Sequence, residues 1–458
     1  MDTLQTRLAA MRRFFQSGTS KDPAFRKQQL RLLKAALAQH EDAILAALQQ
    51  DLGKHAIDGY TSELLLLYEE IDFCLKHLKR WCKPRRKPTP MAFKPGKSCV
   101  FPEPYGLALI MAPWNYPVQL LFAPLIAAIA AGNVAALKPS EVAPAVSRLV
   151  SGLVSETFAP DYIACFPGDA EMAKALLAQQ FDYIFYTGST AIGRLVMAAA
   201  ARRLTPVTLE LGGKSPCIVD KDIPIATAAR RIAWGKFYNA GQTCVAPDYV
   251  YVHQEIHEPF VNTLQDVLRD FYGPDAAQSP EYGRIINRRH YDRLQSLNAG
   301  SSFSLGTAER SKRFIPPTII DNATWDHPAM AEEIFGPILP VLVYRDLQEA
   351  LDEIRRRPHP LALYVFSRHK QTVSTVVRSV PSGGVCVNDT IKHLSTPHLP
   401  FGGVGDSGMV CYHGKAGFDT FSHYRSLMHR SFWPDIKILY PPYKMSLTKL
   451  KRVLKWLM

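Results

Sequence analysis

Apolar positions recur at helical spacing through the first 80 residues: Leu30, Leu33 and Leu37, then Ile44, Leu45 and Leu48. This is the pattern of helices buried along one face. Six prolines follow within 84–104 (Pro84, Pro88, Pro90, Pro95, Pro102 and Pro104). Proline continues neither a helix nor a central strand, so the segment reads as a linker or an edge hairpin and as a topological boundary. From 105 to about 220, strands are predicted at 106–112, 134–137, 162–166, 183–187 and 205–209. Helical runs lie between them, such as 147–157 and 170–179. A second alternating region, from 217 to about 390, opens with a strand at 217–219, a helix at 225–239, a strand at 249–253 and a helix at 257–271. Strand–helix–strand alternation predicts an α/β protein with parallel sheets covered by helices. Such sheets bind nucleotides at the carboxyl ends of their strands.

The stretch 118–137 carries no charge and has the length of a membrane span. Gln119, Pro124, Gly132 and Asn133 interrupt it, and it divides at 131–133 into a buried helix, a glycine turn and a core strand. Across the 458 residues, 47% are hydrophobic and 21% charged, which excludes a disordered or fibrous chain. None of the eight cysteines (74, 82, 99, 165, 217, 244, 386 and 411) forms a CxxC pair, so no zinc or thioredoxin-like site is expected. The opening MDTLQTRLAAMRRFF lacks the apolar core of a signal peptide. A reducing cytoplasm is the expected compartment.

The net charge of +13 is unevenly spread. Residues 76–97 hold nine Lys or Arg and no acid, and 437–458 hold six and no acid. The remainder is close to neutral, with 39 basic against 41 acidic residues. The basicity therefore marks local surfaces, and no nucleic-acid partner is expected. Leu447, Leu450, Leu454 and Leu457 fall at helical spacing within 444–458, with Lys449, Lys451, Arg452 and Lys455 elsewhere. The tail 437–458 thus reads as a basic amphipathic segment, too short to cross a bilayer and suited to lie on an anionic one. The other reading is a tail packed on its own or a neighbouring subunit.

Four local patterns carry candidate chemistry. Cys244 follows a predicted helix end in Asn239-Ala240-Gly241-Gln242-Thr243-Cys244-Val245-Ala246-Pro247. It is a loop nucleophile or a small buried hydrophobe. Glu210 ends an apolar strand ahead of Gly212 and Gly213. It is a partly desolvated general base or a solvated strand-end residue. In Thr187-Gly188-Ser189-Thr190-Ala191-Ile192-Gly193, a strand enters a turn and then a helix, whose N-terminus suits phosphate, although the spacing is not GxGxxG. Asn115, in Pro113-Trp114-Asn115-Tyr116-Pro117, is an oxyanion donor or a turn former.

Taken together, PWNYP, GN-x-A-x-LKPSE, TGST-x-x-G, ELGGKSP, GQTC, EEIFGP and PFGG, in order from Pro113 to Gly403, resemble the aldehyde dehydrogenase superfamily. With Tyr412-His413-Gly414-Lys415 and Phe421-Ser422-His423, the resemblance covers nearly the whole chain, and GQTCVAPDY is most similar to the class 3, fatty and aromatic aldehyde branch. It implies two doubly wound parallel-sheet domains plus a small β oligomerisation or bridging element. The expected division is 1–83 with 105–213 for NAD(P) binding, 214–395 for catalysis, 84–104 with 396–436 for oligomerisation, and 437–458 as the basic tail. It implies Cys244 as nucleophile, giving a thiohemiacetal and then a thioester, Asn115 and the Cys244 backbone N–H as oxyanion donors, and Glu210 as activator of the hydrolytic water. It also implies a cofactor site of Trp114, Lys138, Ser140, Glu141, Gly188, Ser189, Thr190, Ala191, Ile192, Gly193, Leu211, Glu333 and Phe335, for NAD or NADP.

The implied function is oxidation of a medium- or long-chain aliphatic or aromatic aldehyde to the acid by a homodimer. The alternatives are a CoA-acylating relative, against which Glu210 argues, and a catalytically silent structural protein, against which Cys244, Glu210 and Asn115 argue. Glu141 beside the ribose disfavours a 2′-phosphate, although class 3 members accept both cofactors. One departure stands out: Val410 and Cys411 occupy positions where the class 3 pattern has Gly and Ser.

Overall fold

A computed structural model describes residues 3–435 and 440–457. The N-terminal helical layer comprises Leu4–Gln16, Pro23–Gln39, Glu41–Leu52 and Leu65–Trp81. Pro23 opens its helix where a missing N–H costs nothing, and the Asp22 side chain accepts from Ala24 N at 3.0 Å. Leu30, Leu33, Leu37, Ile44 and Leu48 are fully buried.

This layer packs on a six-stranded sheet ordered Gly408–Met409, Val207–Glu210, Tyr183–Thr187, Leu107–Met111, Val134–Lys138 and Ile163–Cys165. All its strands run parallel except Gly408–Met409. Strands such as LALIM and YIFYT are buried at every position, as expected where both faces are covered. From Leu107–Met111 the chain steps outward through Val134–Lys138 to Ile163–Cys165. It then crosses back to Tyr183–Thr187 on the other side. That reversal opens a crevice at the carboxyl ends of the two central strands.

A seven-stranded sheet follows, ordered Phe303–Ser304, Thr318–Ile320, Ile338–Tyr344, Tyr249–His253, Pro216–Val219, Ala362–Phe366 and Gly384–Val387. Only Phe303–Ser304 is antiparallel. A third, antiparallel sheet joins Arg85–Lys87, Gly96–Pro104 and Ser422–Arg430. The proline-rich segment is therefore a hairpin. Pro102 and Pro104 sit in its long strand opposite Tyr424 and Ser422, but Arg85–Lys87 reaches only Val100. Both prolines thus lie where the other edge of the strand is bare, and no ladder bond is lost there.

The uncharged stretch divides as expected. A buried helix, Gln119–Ala131, ends before Gly132, and the strand Val134–Lys138 follows. Among the described residues no helix is long and apolar enough to cross a membrane. Two expectations are corrected. The helix from Ile225 ends at Phe237, because Asn239 and Ala240 turn left-handed at φ 53° and 51°. The tail helix spans Leu447–Leu457, leaving 444–446 outside it. Residues 437–439 and 458 of the tail, and the Leu454 and Leu457 side chains of its apolar stripe, lie outside the described residues.

Val410 adopts φ 71°, a conformation that suits glycine and strains a β-branched side chain. Its side chain is exposed, immediately before the buried Tyr412 segment.

Candidate active site

The sequence delivers its candidate residues through chain reversals at strand ends. Leu107–Met111 runs into the Pro113–Pro117 loop, Tyr183–Thr187 into Gly188–Ser189, and Val207–Glu210 into Gly212–Gly213. The left-handed pair Asn239–Ala240 reverses the chain after its helix and carries Cys244 inward. Strained backbone is concentrated here: Phe335 (φ 50°), Ile391 (φ 62°) and His413 (φ 77°) also line the cavities described next.

Two cavities meet at Cys244. The first, of about 390 Å³, is lined by Trp114, Asn115, Gly188, Ser189, Thr190, Glu210, Leu211, Cys244, Glu333 and Phe335, with Leu120, His290 and Arg293. The second, of about 360 Å³, has Tyr116, Leu120, Trp234, Tyr238, Cys244, Ile391, Phe401 and Tyr412 in its wall. Of the remaining sequence candidates, Lys138, Ser140 and Glu141 sit at the carboxyl end of the neighbouring strand, outside this wall. There Lys138 Nζ contacts Glu141 Oε2 at 2.6 Å. Ala191, Ile192 and Gly193 form the first helical turn after Ser189 and lie behind the cavity wall, with Gly193 against Leu211.

Asn115 is 3% exposed. Its Nδ2 donates to Gln242 O at 3.0 Å, and its carbonyl accepts from Asn239 Nδ2 at 2.9 Å. Tyr116 Oη and Thr243 Oγ1 lie 2.6 Å apart. The Asn115 loop and the Cys244 loop therefore form one hydrogen-bonded unit. Burial, followed by the Glu333 and Glu210 carboxylates, pushes the Cys244 thiol up to about 12. Glu210 is 2% exposed and neither carboxyl oxygen has a protein partner. Burial alone raises it well above the usual carboxylate range. Glu333 is pushed up to about 8 by burial and then Asp248, against the Gly213 N–H, Lys214 and Arg293. All three groups hold their protons to higher pH than usual, so the thiolate and the two carboxylates gain population as pH rises.

This wall fits a dinucleotide. A Cβ at Gly212 would collide with the Glu333 carboxylate, so the missing side chain lets that carboxylate reach the cavity. A Cβ at Gly193 would meet Leu211 Cδ2 at 2.7 Å, so glycine lets the helix Thr190–Ala201 pack close to the sheet. That helix opens into the crevice with free N–H groups suited to a pyrophosphate. Trp114 and Phe335 stand edge to face at 5.3 Å, giving an aromatic border. Among the described residues no group of three or more His, Cys, Asp or Glu is placed to hold a metal.

Sequence reasoning missed most of the second cavity. Leu65, Leu66, Trp234, Tyr238 and Ile391 come from three distant segments and carry no motif. Phe401 and Tyr412 lay within recognised motifs but had no assigned role. The two face each other across an isolated bridge.

Comparison with known proteins gives the class. The profile of the Aldehyde dehydrogenase family matches residues 2–427, and the chain belongs to that family. It is 45% identical to 4,4′-diaponeurosporen-aldehyde dehydrogenase of Staphylococcus aureus, over 99% of this chain and 100% of the relative. It is 43% identical to the rat dimeric NADP-preferring aldehyde dehydrogenase, over 96% of this chain and 98% of the relative. The solved substrate-bound state of Staphylococcus aureus AldH superposes with a TM-score of 0.96 at 45% identity, covering 99% of this chain and 100% of that one. The protein is a class 3-like, NAD(P)-dependent aldehyde dehydrogenase.

Proposed function

We propose that the protein oxidises medium- to long-chain aliphatic or aromatic aldehydes to free acids, with Cys244 as nucleophile and Glu210 as the base for hydrolysis. The observation that carries this reading is the meeting of two cavities at one thiol, one bordered by the Gly188–Thr190 turn, Glu210 and Glu333, the other walled by aromatic and aliphatic side chains. The Cys244 thiol gives up its proton to solvent, the thiolate Sγ adds to the carbonyl carbon, and the Asn115 amide and the Cys244 backbone N–H hold the resulting oxyanion. NAD(P), when bound, supplies the hydride acceptor. Glu333 holds the nicotinamide ribose, with Phe335 and Trp114 bordering the ring. Leu211 packs under the helix that begins at Ser189. Gly188–Gly193 receive the pyrophosphate, and Lys138, Ser140 and Glu141 the adenosine ribose. Glu210, unpaired in a desolvated wall, then takes a proton from the water that cleaves the thioester. A CoA-acylating enzyme has no need of that base.

Substrate length is the first test. Each buried methylene contributes about 0.8 kcal/mol, so kcat/KM is expected to rise about fourfold per methylene from hexanal until the cavity is filled. Reduced-nicotinamide formation with hexanal, decanal and benzaldehyde, with NAD or NADP, reads this out. A flat series, or turnover that depends on added CoA, contradicts the reading.

The same proposal divides the chain into a cofactor-binding part (1–83 and 105–213), a catalytic part (214–395), a bridging part (84–104 and 396–436) and the tail (437–458). The strand Ser422–Arg430 is exposed over most of its length, with Leu427 and Met428 on it. A second copy covering this sheet makes the protein a homodimer. The tail helix packs beside Met91–Phe93 of the hairpin. Met91, Phe93, Phe432, Trp433, Tyr443 and Leu447 are all exposed in this region, among the lysines and arginines of both basic segments. An apolar and cationic face of this kind suits peripheral contact between a cytoplasmic enzyme and an anionic bilayer. Full-length protein is expected to co-sediment with phosphatidylserine vesicles at low salt. Protein truncated after Pro442 is expected to stay in the supernatant while keeping its activity and dimeric mass. Full-length protein that remains in the supernatant refutes the membrane contact.

A further inference from the structure

Behind the Asn115 loop lies a buried ion pair that the reaction scheme does not use. Lys54 follows the helix Glu41–Leu52, and Glu63 sits in the single wide turn Tyr60–Leu64 ahead of Leu65–Trp81. Lys54 is 3% and Glu63 0% exposed, with Nζ and Oε1 2.6 Å apart. Both groups reach past each other to the same loop. Lys54 Nζ donates to the Asn115 carbonyl at 3.0 Å and stands 3.9 Å from the centre of the Tyr116 ring. Glu63 Oε2 accepts from Val118 N at 3.0 Å and from Gln119 N at 2.9 Å. These are orphan amides at the start of the helix Gln119–Ala131, whose own N-cap offers no side-chain acceptor.

The pair thus holds the loop from Asn115 onward: at the Asn115 carbonyl and the Tyr116 ring, and again at Val118 and Gln119. The Asn115 amide nitrogen carries two hydrogens. One is committed to Gln242 O, and the other has no protein acceptor among the described residues, in the wall it shares with Cys244. An oxyanion donor acts only when its direction is set before the charge develops, and displacement by about 1 Å costs on the order of 100-fold in rate. A buried pair is weak evidence for stability, because an isosteric neutral replacement is often tolerated. Its presence behind this loop therefore calls for another reason.

We propose that the Lys54–Glu63 pair positions the Asn115 amide for the Cys244 reaction, a role that rests on Asn115 being the oxyanion donor. Neither residue touches substrate. Both act through the loop they hold.

The test is a cycle of three variants measured with decanal and NAD: Asn115→Ala, the charge-free Lys54→Met/Glu63→Gln, and all three substitutions combined. Asn115→Ala is expected to lower kcat about 100-fold. The double variant is expected to lower it about 10-fold or more, with KM for aldehyde and for NAD within twofold of the parent. In the Asn115→Ala background the double substitution is expected to cost less than twofold further, because the donor it aims is gone. A merely structural pair would instead give additive losses. Parent-like kcat in the double variant, or full additivity, overturns the positioning role. Parent-like kcat in Asn115→Ala overturns the oxyanion assignment on which it rests. Should the double variant fail to fold, Lys54→Met alone carries the same outcomes, since it removes the hold on the Asn115 carbonyl while Glu63 keeps the Val118 and Gln119 N–H donors.

Discussion

Replacing Cys244 with alanine is expected to abolish aldehyde oxidation, lowering kcat by at least about 10,000-fold, while NAD(P) still binds. The expectation rests on position. Cys244 lines both the aromatic cavity and the one bordered by Gly188, Glu210 and Glu333, and no other cysteine lines either. Cys74 and Cys217 are buried in the core, and Cys82, Cys99, Cys165, Cys386 and Cys411 are absent from both cavity walls. The alanine variant loses the atom that forms the covalent bond and little else, since alanine fits the loop and the Asn115–Gln242 bond does not involve the Cys244 side chain. Steady-state reduced-nicotinamide formation measures the loss, and cofactor fluorescence titration measures the retained binding. Residual turnover above about 1% of the parent would contradict the assignment.

Glu210→Gln is expected to separate the two halves of the reaction. Its carboxyl lies in the wall shared with Cys244, unpaired and 2% exposed. A glutamine there keeps the volume and removes the base. The first turnover should still release reduced cofactor in a rapid burst. The steady state should fall about 100- to 1,000-fold, the usual worth of a positioned general base. The sign of the pH dependence follows from burial. Because the Glu210 carboxyl titrates well above the usual carboxylate range, its ionised form gains population as pH rises, so hydrolysis speeds up with pH in the parent. The variant should lose that slope. A variant with neither burst nor steady state places Glu210 in the first half of the reaction instead.

The parallel sheets were legible because their strands are short apolar runs punctuated by glycine and proline, as at 183–187, where expectation and structure share both ends. The end of the helix at Phe237 was not. Ala-rich and aromatic sequence (Ala228, Ala229, Ala233, Trp234, Phe237, Tyr238) continues the helical pattern to Asn239, and the break two residues earlier comes from the left-handed turn at Asn239–Ala240 ahead of the Gln242–Asn115 contact. Local patterns supplied Cys244, Glu210 and Asn115 as candidates, and the resemblance gave each its role, because each sits in a contiguous motif. The apolar cavity, drawn from 61–66, 116–120, 234–245 and 391–413, has no such signature, since any aliphatic or aromatic side chain of suitable size fills it. The Lys54–Glu63 pair was hidden for another reason. The two residues lie nine positions apart without helical register, and only the fold reveals that both are buried behind one loop.

The central claim is that an acyl group passes through the sulfur of Cys244 and leaves with water activated by Glu210. The most direct measurement is the mass of the Glu210→Gln variant quenched after mixing with decanal and NAD, followed by peptide mapping. The account predicts a decanoyl adduct in stoichiometric amount on the Cys244 peptide, absent when NAD is omitted and absent in Cys244→Ala/Glu210→Gln. No adduct, or an adduct on another cysteine, would contradict it.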